Sequence, residues 1–504
     1  MFIARLPPTS NIPKSRNMAP RALASRLLER WGEHAFALFA LGYSFVVWWP
    51  TRAVPYHWDS AMFVVDAARD LLSTDFRPLV ATHSDFAHPP LFVASLALVW
   101  RLFGESRLVS HALVAPSLPL AMMATYRLGR GAGDFALGAA AGALFGAAAV
   151  VVAEYGQIYM DLPVATVLTW AIVAWLEQRD ALASALLCAA ALMKIPAPLT
   201  VPLAFAVLLV VGPKRRRSAS AWASVFAPFA IVAIWLAYHE SVAGWLIARP
   251  GRTIASPHDV TTWARCFGAV GSMLLLDQWR WILPCAALGA TLLRIAQSKT
   301  MAAGPILPHL AIVASGWLFF ATVGEFGPRY GIYLLPSYLV ATLYVVRAGI
   351  PHAARFSLVA AGIFCLFITG WHPRRPLTTN YSFAPDCDLA YLDMIAIGQQ
   401  SARWLARKFP DAEIYGAQPE SYQLTEPWQG YVDIPRRFAS CRAFEFHSNV
   451  TQIVYVHPYH PRQLQCRELV QSLGARLIRH FEANGKWLEL YLIPVQSDHG
   501  GSSE

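Results

Sequence analysis

Residues 88–103 read HPPLFVASLALVWRLF, and the topology of the whole chain turns on whether this stretch crosses a membrane or lies along its surface. It is apolar but shorter than the roughly 20 residues a spanning helix needs, and it opens on His88-Pro89-Pro90. Basic residues gather on the cytoplasmic side of a membrane. If 88–103 spans, Arg127 and Arg130 fall outside, against that rule. If it rests at the outer interface, 108–127 descends and both arginines fall inside. The runs 134–152, 162–177, 181–197 and 198–212 then alternate in direction, and Lys214-Arg215-Arg216-Arg217 also lands inside. The second threading satisfies every basic cluster, so 88–103 is expected to be a juxtamembrane helix in the first outer loop.

On the N-terminal side, Arg5, Lys14, Arg16, Arg21, Arg26 and Arg30 hold the tail inside, and 33–50 forms the first span. No small-residue cleavage pattern follows it, so it reads as an uncleaved signal anchor. Residues 51–87 become the first outer loop. On the C-terminal side, 221–239 ascends, 240–280 is a long outer loop and 281–294 descends. Runs 305–323, 331–346 and 353–371 follow in alternation. The expectation is an α-helical polytopic membrane protein with about eleven spans and its C-terminus outside. The threading is strained at 181–212, which Lys194 and three prolines interrupt, and at 263–294, where Asp277 and Arg280 fall between the apolar halves. No internal repeat is visible.

Composition points the same way. Of 504 residues, 56% are hydrophobic and only 14% charged, where soluble domains carry about 25% charged residues. A single soluble core is excluded. The net charge of +10 sits largely beside apolar runs, so it reads as a topology signal and not as a nucleic-acid surface. The seven cysteines include no Cys-x-x-Cys pair, which argues against a zinc or thioredoxin-like site. Cys188, Cys285 and Cys365 lie in apolar runs and read as inert thiols.

Beyond Trp371 the composition becomes that of a soluble domain. Residues 396–408 and 463–473 have helical spacing, and 413–416 and 452–456 read as strands. Residues 476–481 and 486–493 read as paired strands around Asn484-Gly485, a hairpin signal. The division expected is a cytoplasmic basic tail (1–32), a transmembrane domain (33–371) and a small extracytoplasmic α/β domain (372–504). Cys387, Cys441 and Cys466 would lie in an oxidising compartment. One disulfide among them is expected, with three pairings open.

Polar groups near a membrane are costly unless interfacial or used, and this threading collects a specific set on the outer face. The first loop supplies His57, Asp59, Asp66, Asp70, His83, Asp85 and His88. Glu154, Tyr155, Tyr159 and Asp161 come from the second loop, and Lys194 from a span end. His239, Glu240, Arg249, Arg252, His258 and Asp259 come from the long loop, and Glu325, Arg329 and Tyr330 complete the set. Carboxylates beside cations suit an acceptor hydroxyl and a phosphate leaving group: the carboxylate as base, the cations on the phosphate. Each residue also has an ordinary reading. Asp59 and Asp161 could merely cap helices, Lys194 could snorkel, and Asp66 with Asp70 could be a solvated helix face. His88 could be a turn residue, Arg329-Tyr330 an interfacial anchor and His258-Asp259 ordinary loop. His83, Asp85 and His88, or His258, could ligate a divalent cation, though no spacing here is diagnostic.

Several short motifs occur in a fixed order: Trp58-Asp59-Ser60, His88-Pro89-Pro90-Leu91, Tyr159-Met160-Asp161-Leu162-Pro163, Met193-Lys194-Ile195-Pro196, and Arg329-Tyr330 before Leu334-Leu335-Pro336. Over about residues 30–345 this pattern resembles the polytopic GT-C glycosyltransferases, in particular the protein O-mannosyltransferase and lipid A aminoarabinose transferase group. The resemblance implies inverting transfer of a sugar from a polyprenyl-phosphate donor to a hydroxyl on a lipid, glycan or protein at the outer leaflet of a bacterial-type plasma membrane. It implies Asp59 as base or acceptor-orienting group and Asp161 as a second acid that positions acceptor or metal. Lys194, Arg329, His88 and Tyr330 would serve the donor phosphate. The chain departs from many relatives in having Ser60 after Asp59 where they carry a second acid, and Ile195 where several have Gly. The region after 372 matches no pattern of that group. The rival expectation is a transporter or flippase of lipid-linked sugars; a receptor-like or assembly role would leave the shared polar face unexplained. Transporters place polar residues near the midplane, often on repeated, interrupted helices.

Overall fold

A computed structural model describes residues 20–81, 88–195, 197–212, 218–246, 260–276, 281–297, 302–323, 328–349, 389–417, 420–447, 450–457 and 463–494. The first helix, α1 (Pro20–Thr51), starts inside the segment expected as a tail. After the wide turn Ser60–Val64 come α2 (Val65–Ser73) and α3 (Leu91–Phe103). The bundle continues with α4 (Arg107–Val114), α5 (Ser117–Ala132), α6 (Phe135–Ala147), α7 (Ala149–Tyr155), α8 (Asp161–Leu176) and α9 (Asp180–Met193). It is completed by α10 (Thr200–Val211), α11 (Ala219–Ala243), α12 (Val260–Gly271), α13 (Ile282–Ala296), α14 (Leu307–Val323) and α15 (Leu335–Gly349).

α1 and α5 run antiparallel: Phe36 stacks on Tyr126 at 4.7 Å, and Trp48 Nε1 donates to the His111 carbonyl at 3.2 Å. At the lower end Glu33 accepts from Arg127 (3.0 Å) and Arg130 (2.8 Å), Arg347 pairs with Asp134 at 2.5 Å, and Arg294 donates to the Ala348 carbonyl at 2.7 Å. The arginines that the second threading assigned to one side therefore share one end of the bundle. α3 stays out of the bundle core. Its buried face, Leu96, Ala97 and Trp100, packs in a separate apolar cluster with Val65, Ala68 and Leu71 of α2. Gly104, at φ 84°, ends α3, and Ser106 Oγ caps α4 by accepting from the Val109 amide at 3.2 Å. α3 thus packs beside the bundle, on α2, and at 13 residues it is shorter than a spanning helix needs to be.

Among the described residues, three helical stretches are long and apolar enough to cross a membrane: Arg107–Ala132, Ala219–Ala243 and Arg329–Gly349. The pair α6 and α7, bent by 61° at Ala148, makes a fourth if counted as one span. Six further apolar helices are shorter; a 16-residue helix such as α8 covers about 24 Å against about 30 Å of hydrocarbon. The chain is multi-pass, but length and composition do not reproduce a count of eleven. The long loop expected over 240–280 is not wholly loop, because α12 and its continuation Ser272–Leu276 are helical. α12 packs on α14, where Trp317 Nε1 donates to the Phe267 carbonyl at 3.0 Å. The strained reading of 263–294 came from these apolar residues. The expected span 353–371 and Cys365 lie outside the described residues.

The C-terminal region forms a five-stranded sheet of order β2-β1-β3-β5-β4. The strands are β1 (Glu413–Gly416), β2 (Arg437–Ser440), β3 (Gln452–Val456), β4 (Arg476–Ala483) and β5 (Lys486–Leu492). β1 lies parallel to β2 and β3, while β5 is antiparallel to β3 and β4. Every residue of β3 is buried, as a strand covered on both faces requires. Ile453 and Tyr455 face α16 (Ala390–Lys408), whereas Val454 and Val456 face α18 (Gln463–Ser472) and the Cys441–Cys466 disulfide. That bridge is one of the three pairings left open; Cys387 lies outside the described residues. Asn484 and Gly485 take φ 49° and 76° at the β4–β5 turn, the left-handed pair of a two-residue hairpin.

Close helix packing runs along Gly138, Gly142 and Gly146 of α6, four residues apart, a small-residue face of the kind that lets membrane helices approach. A Cβ on Gly142 would lie 2.8 Å from the Met122 carbonyl oxygen of α5. Gly142→Leu is therefore expected to lower stability by about 1–3 kcal/mol through overpacking. Gly131→Leu, where an added Cβ meets nothing within 4 Å, should melt like wild type in detergent.

Candidate active site

At the end of the bundle opposite Glu33, four chain segments converge. The first follows α1, where Trp58 is held at φ 49°, a left-handed conformation that is unusual for a bulky residue and costs of order 1–3 kcal/mol. Asp59 follows, at the head of the Ser60–Val64 turn, in which the Val65 amide reaches back five residues to the Ser60 carbonyl. Such wide turns are frequent at functional sites. The Asp59 side chain does not cap that turn. It pairs with Arg329.

The second is made by α7 and α8. The break at Ala148 turns the chain, and the Tyr155 hydroxyl donates to the Ala115 carbonyl at 2.8 Å, anchoring the new direction. Asp161 is the first residue of α8, and its side chain likewise makes no capping hydrogen bond; it pairs with Lys194. Lys194 is the extended residue that ends α9, and Arg329 and Tyr330 lie in the tight turn Pro328–Leu334 that leads into α15.

The four charged groups alternate in one line: Asp59, Arg329, Asp161, Lys194. Arg329 Nε stands 3.9 Å from Asp161 Oδ2. The Arg329 guanidinium lies 4.7 Å from the Tyr159 ring and 5.2 Å from the Tyr330 ring, and Lys194 Nζ lies 4.4 Å from the Tyr330 ring. Arg329 also donates to the Tyr330 hydroxyl at 3.5 Å. Arg329 and Asp161 are only 8% and 9% exposed. Neither acid is a simple cap, Lys194 does not snorkel to solvent, and Arg329 is no surface anchor. Among the described residues this line holds two carboxylates and two cations, and the Arg329 guanidinium carries five N–H donors in a fixed fork.

His88, at the entrance to α3, feels the same groups. Burial first, then Lys194 and Arg329 against the opposing pull of Asp161, pushes its pKa down to about 3. It is a neutral imidazole that can offer one N–H to an anion but no charge. His57 is also buried and neutral, at about 3, through desolvation and the nearby His457.

The C-terminal domain closes over the first loop. Arg69 of α2 lies 4.3 Å from the Trp428 ring and pairs with Glu105 at 2.9 Å, while Tyr56 packs on Trp428 at 5.8 Å. Tyr422, in α17 (Glu420–Thr425), packs with Trp58, Met62 and Tyr159. Asp66 and Asp70 are not a solvated face: Asp70 is buried and Asp66 half-buried, with Glu426 of the C-terminal domain close to Asp66. Sequence reasoning had no access to this contact, because Pro427 and Gly430 mark a turn without saying what the turn meets. Of the remaining candidates, Glu154 is buried at the end of α7, His239 is buried near the end of α11, and Glu240 is exposed beside it. The proposed metal ligands His83, Asp85 and His258, with Arg249, Arg252, Asp259 and Glu325, lie outside the described residues. Among the described residues no three of His, Cys, Asp and Glu converge to hold a metal ion.

No protein-family model matches the chain, and no curated protein matches its sequence significantly. Its fold does match solved structures. ArnT from Cupriavidus metallidurans bound to undecaprenyl phosphate superposes with a TM-score of 0.53 at 13% identity, covering 92% of this chain and 98% of that one. The apo form of the same ArnT gives 0.51 at 14% identity with the same coverage. The apo oligosaccharyltransferase of Archaeoglobus fulgidus gives 0.45 at 12% identity, covering 94% of this chain and 75% of that one. The chain thus has the ArnT fold, the GT-C architecture that the order of its motifs resembled.

Burial, then the nearby Glu426 against the opposing pull of Arg69, raises the Asp66 carboxyl to about 6. A raised carboxyl means that the folded protein binds the extra proton, so stability falls as pH rises from about 4 to about 6. Thermal unfolding in detergent should show this decline in wild type. Asp66→Asn should flatten it, leaving the variant more stable than wild type above pH 6.

Proposed function

We propose that this chain is a membrane glycosyltransferase that moves a sugar from a polyprenyl-phosphate donor to a hydroxyl acceptor at the outer face of the membrane. The observation that carries this reading is the line Asp59, Arg329, Asp161, Lys194, gathered at one end of an ArnT-like helical bundle. Burying ions carries an effective penalty of several kcal/mol each, which pairing only partly returns. Two such pairs side by side are poor value as glue and well suited to an anionic substrate. The ArnT structure of the same fold holds undecaprenyl phosphate, a lipid of the class proposed as carrier.

In this reading Lys194 and Arg329 take the donor phosphate, with the His88 imidazole N–H and the Tyr330 hydroxyl as uncharged donors. Arg329 can hold Asp59 with one N–H edge and the phosphate with another. As phosphate draws the guanidinium, the Asp59 carboxylate becomes available to the acceptor hydroxyl. The acceptor oxygen attacks the anomeric carbon, the bond from that carbon to the phosphate oxygen breaks, and the hydroxyl proton passes to Asp59. Polyprenyl phosphate departs as a paired anion, and one displacement inverts the anomeric centre. Asp161 keeps Lys194 and Arg329 aimed at the phosphate. The protein supplies positioning and charge neutralisation. A divalent cation, if one is used, would draw on His83, Asp85, His88 or His258, and no step here depends on one.

The transporter reading has one feature in its favour, the bent pair α6 and α7. Interrupted helices of transporters present substrate-binding groups at the break, whereas this break lies within Ala147-Ala148-Ala149. The experiment is to supply purified protein with a panel of polyprenyl-phosphate sugars and measure released lipid phosphate. Asp59→Asn is expected to lose about 10²–10⁴-fold in turnover. Turnover equal to wild type would remove Asp59 from the role of base. Passage of the intact sugar lipid between leaflets, with none released, would favour the transporter.

A further inference from the structure

The turn that carries Asp59 does not hold itself. Trp58 sits in the left-handed region, and the turn's own bonds run from the Ser60 amide to the His57 carbonyl (3.1 Å) and from the Ala61 and Met62 amides to the Trp58 carbonyl (both 2.9 Å). From outside, the Tyr159 hydroxyl donates to the His57 carbonyl at 3.2 Å. Two further holds come from a residue more than 360 positions away. Gln429, fully buried in the C-terminal domain, accepts the Tyr56 amide on its backbone carbonyl at 3.2 Å. Its side-chain Nε2 donates to the Ala61 carbonyl at 3.4 Å. One residue therefore grips the chain three positions before Asp59 and two positions after it.

The gripping turn is itself built firmly. Gly430, at φ 95°, closes it through its amide to the Pro427 carbonyl at 3.0 Å. Gln399 of α16 donates to the Gly430 carbonyl at 2.9 Å, and Trp428 Nε1 donates to Glu426 at 2.8 Å. Glycine suits position 430 because its φ of 95° lies in the region that L side chains rarely adopt.

We propose that Gln429 is a positioning residue: the C-terminal domain clamps the strained Trp58-Asp59 turn from both sides and so sets the carboxylate against Arg329. The domain then belongs to the working site and is not an appended module. The clamp itself rests on geometry, while its catalytic meaning rests on the role proposed for Asp59.

The test follows amide hydrogen exchange by mass spectrometry on the full-length protein in detergent, wild type against Gln429→Met. Methionine keeps the length and bulk of the side chain and removes its donor. Exchange over 59–64 is expected to quicken about tenfold, the scale of one lost buried hydrogen bond, while the strands Gln452–Val456 and Lys486–Leu492 stay as protected as in wild type. Turnover with a polyprenyl-phosphate sugar should fall by a similar factor in kcat, with donor KM within about twofold. Gln429→Ala, as a second variant, should move exchange in the same direction. Unchanged exchange over 59–64 in both variants overturns the clamp. Equal loosening of the two strands also overturns it, because Gln429 would then belong to the domain's own core. Exchange is read without substrate, so a wild type that turns over no donor counts against the proposed function while the clamp is still decided.

Discussion

Arg329 is the group on which the rest of the site depends. It lies between two acids brought from opposite sides, Asp59 after α1 and Asp161 at the start of α8, and it is almost wholly buried between two tyrosine rings. A guanidinium in that position cannot shed its charge, so it must be matched by carboxylates or by an anionic substrate. The elements around it serve that requirement. The tight turn before α15 delivers Arg329, the break at Ala148 re-aims the chain that ends in Asp161, and the extended end of α9 brings Lys194 to complete the balance. In the proposed reaction, exchange of one carboxylate contact for a phosphate contact would keep Arg329 paired.

Much of this was legible in the sequence wherever the signal was local or a matter of parity. Arg127, Arg130, Arg294 and Arg347 share one end of the bundle, while Asp59, Asp161, Lys194 and Arg329 share the other. Placing 88–103 on the surface produced that division. The hairpin at Asn484-Gly485 and the strands at 413–416 and 452–456 were equally legible, because turn chemistry and β-branched runs are local properties.

What sequence could not supply was docking. Asp66 and Asp70 have the spacing of a solvated helix face, yet Asp66 lies close to Glu426 of the C-terminal domain, more than 350 residues later. Gln429 has no distinguishing neighbours except the Pro427 and Gly430 that make its turn. The Val260–Leu276 stretch failed for another reason: its apolar residues were ambiguous between loop and helix until packing on α14 decided them. The choice of Cys441 and Cys466 among three cysteines likewise followed from where α18 meets the sheet.

The account stands on a donor phosphate binding between Lys194 and Arg329, and the most direct measurement is an experimental structure of the protein with undecaprenyl phosphate. The expected result is a phosphate within hydrogen-bonding distance of both cations, with Arg329 turned partly away from Asp59 and toward the lipid. A phosphate bound elsewhere, with both ion pairs left intact, would contradict it.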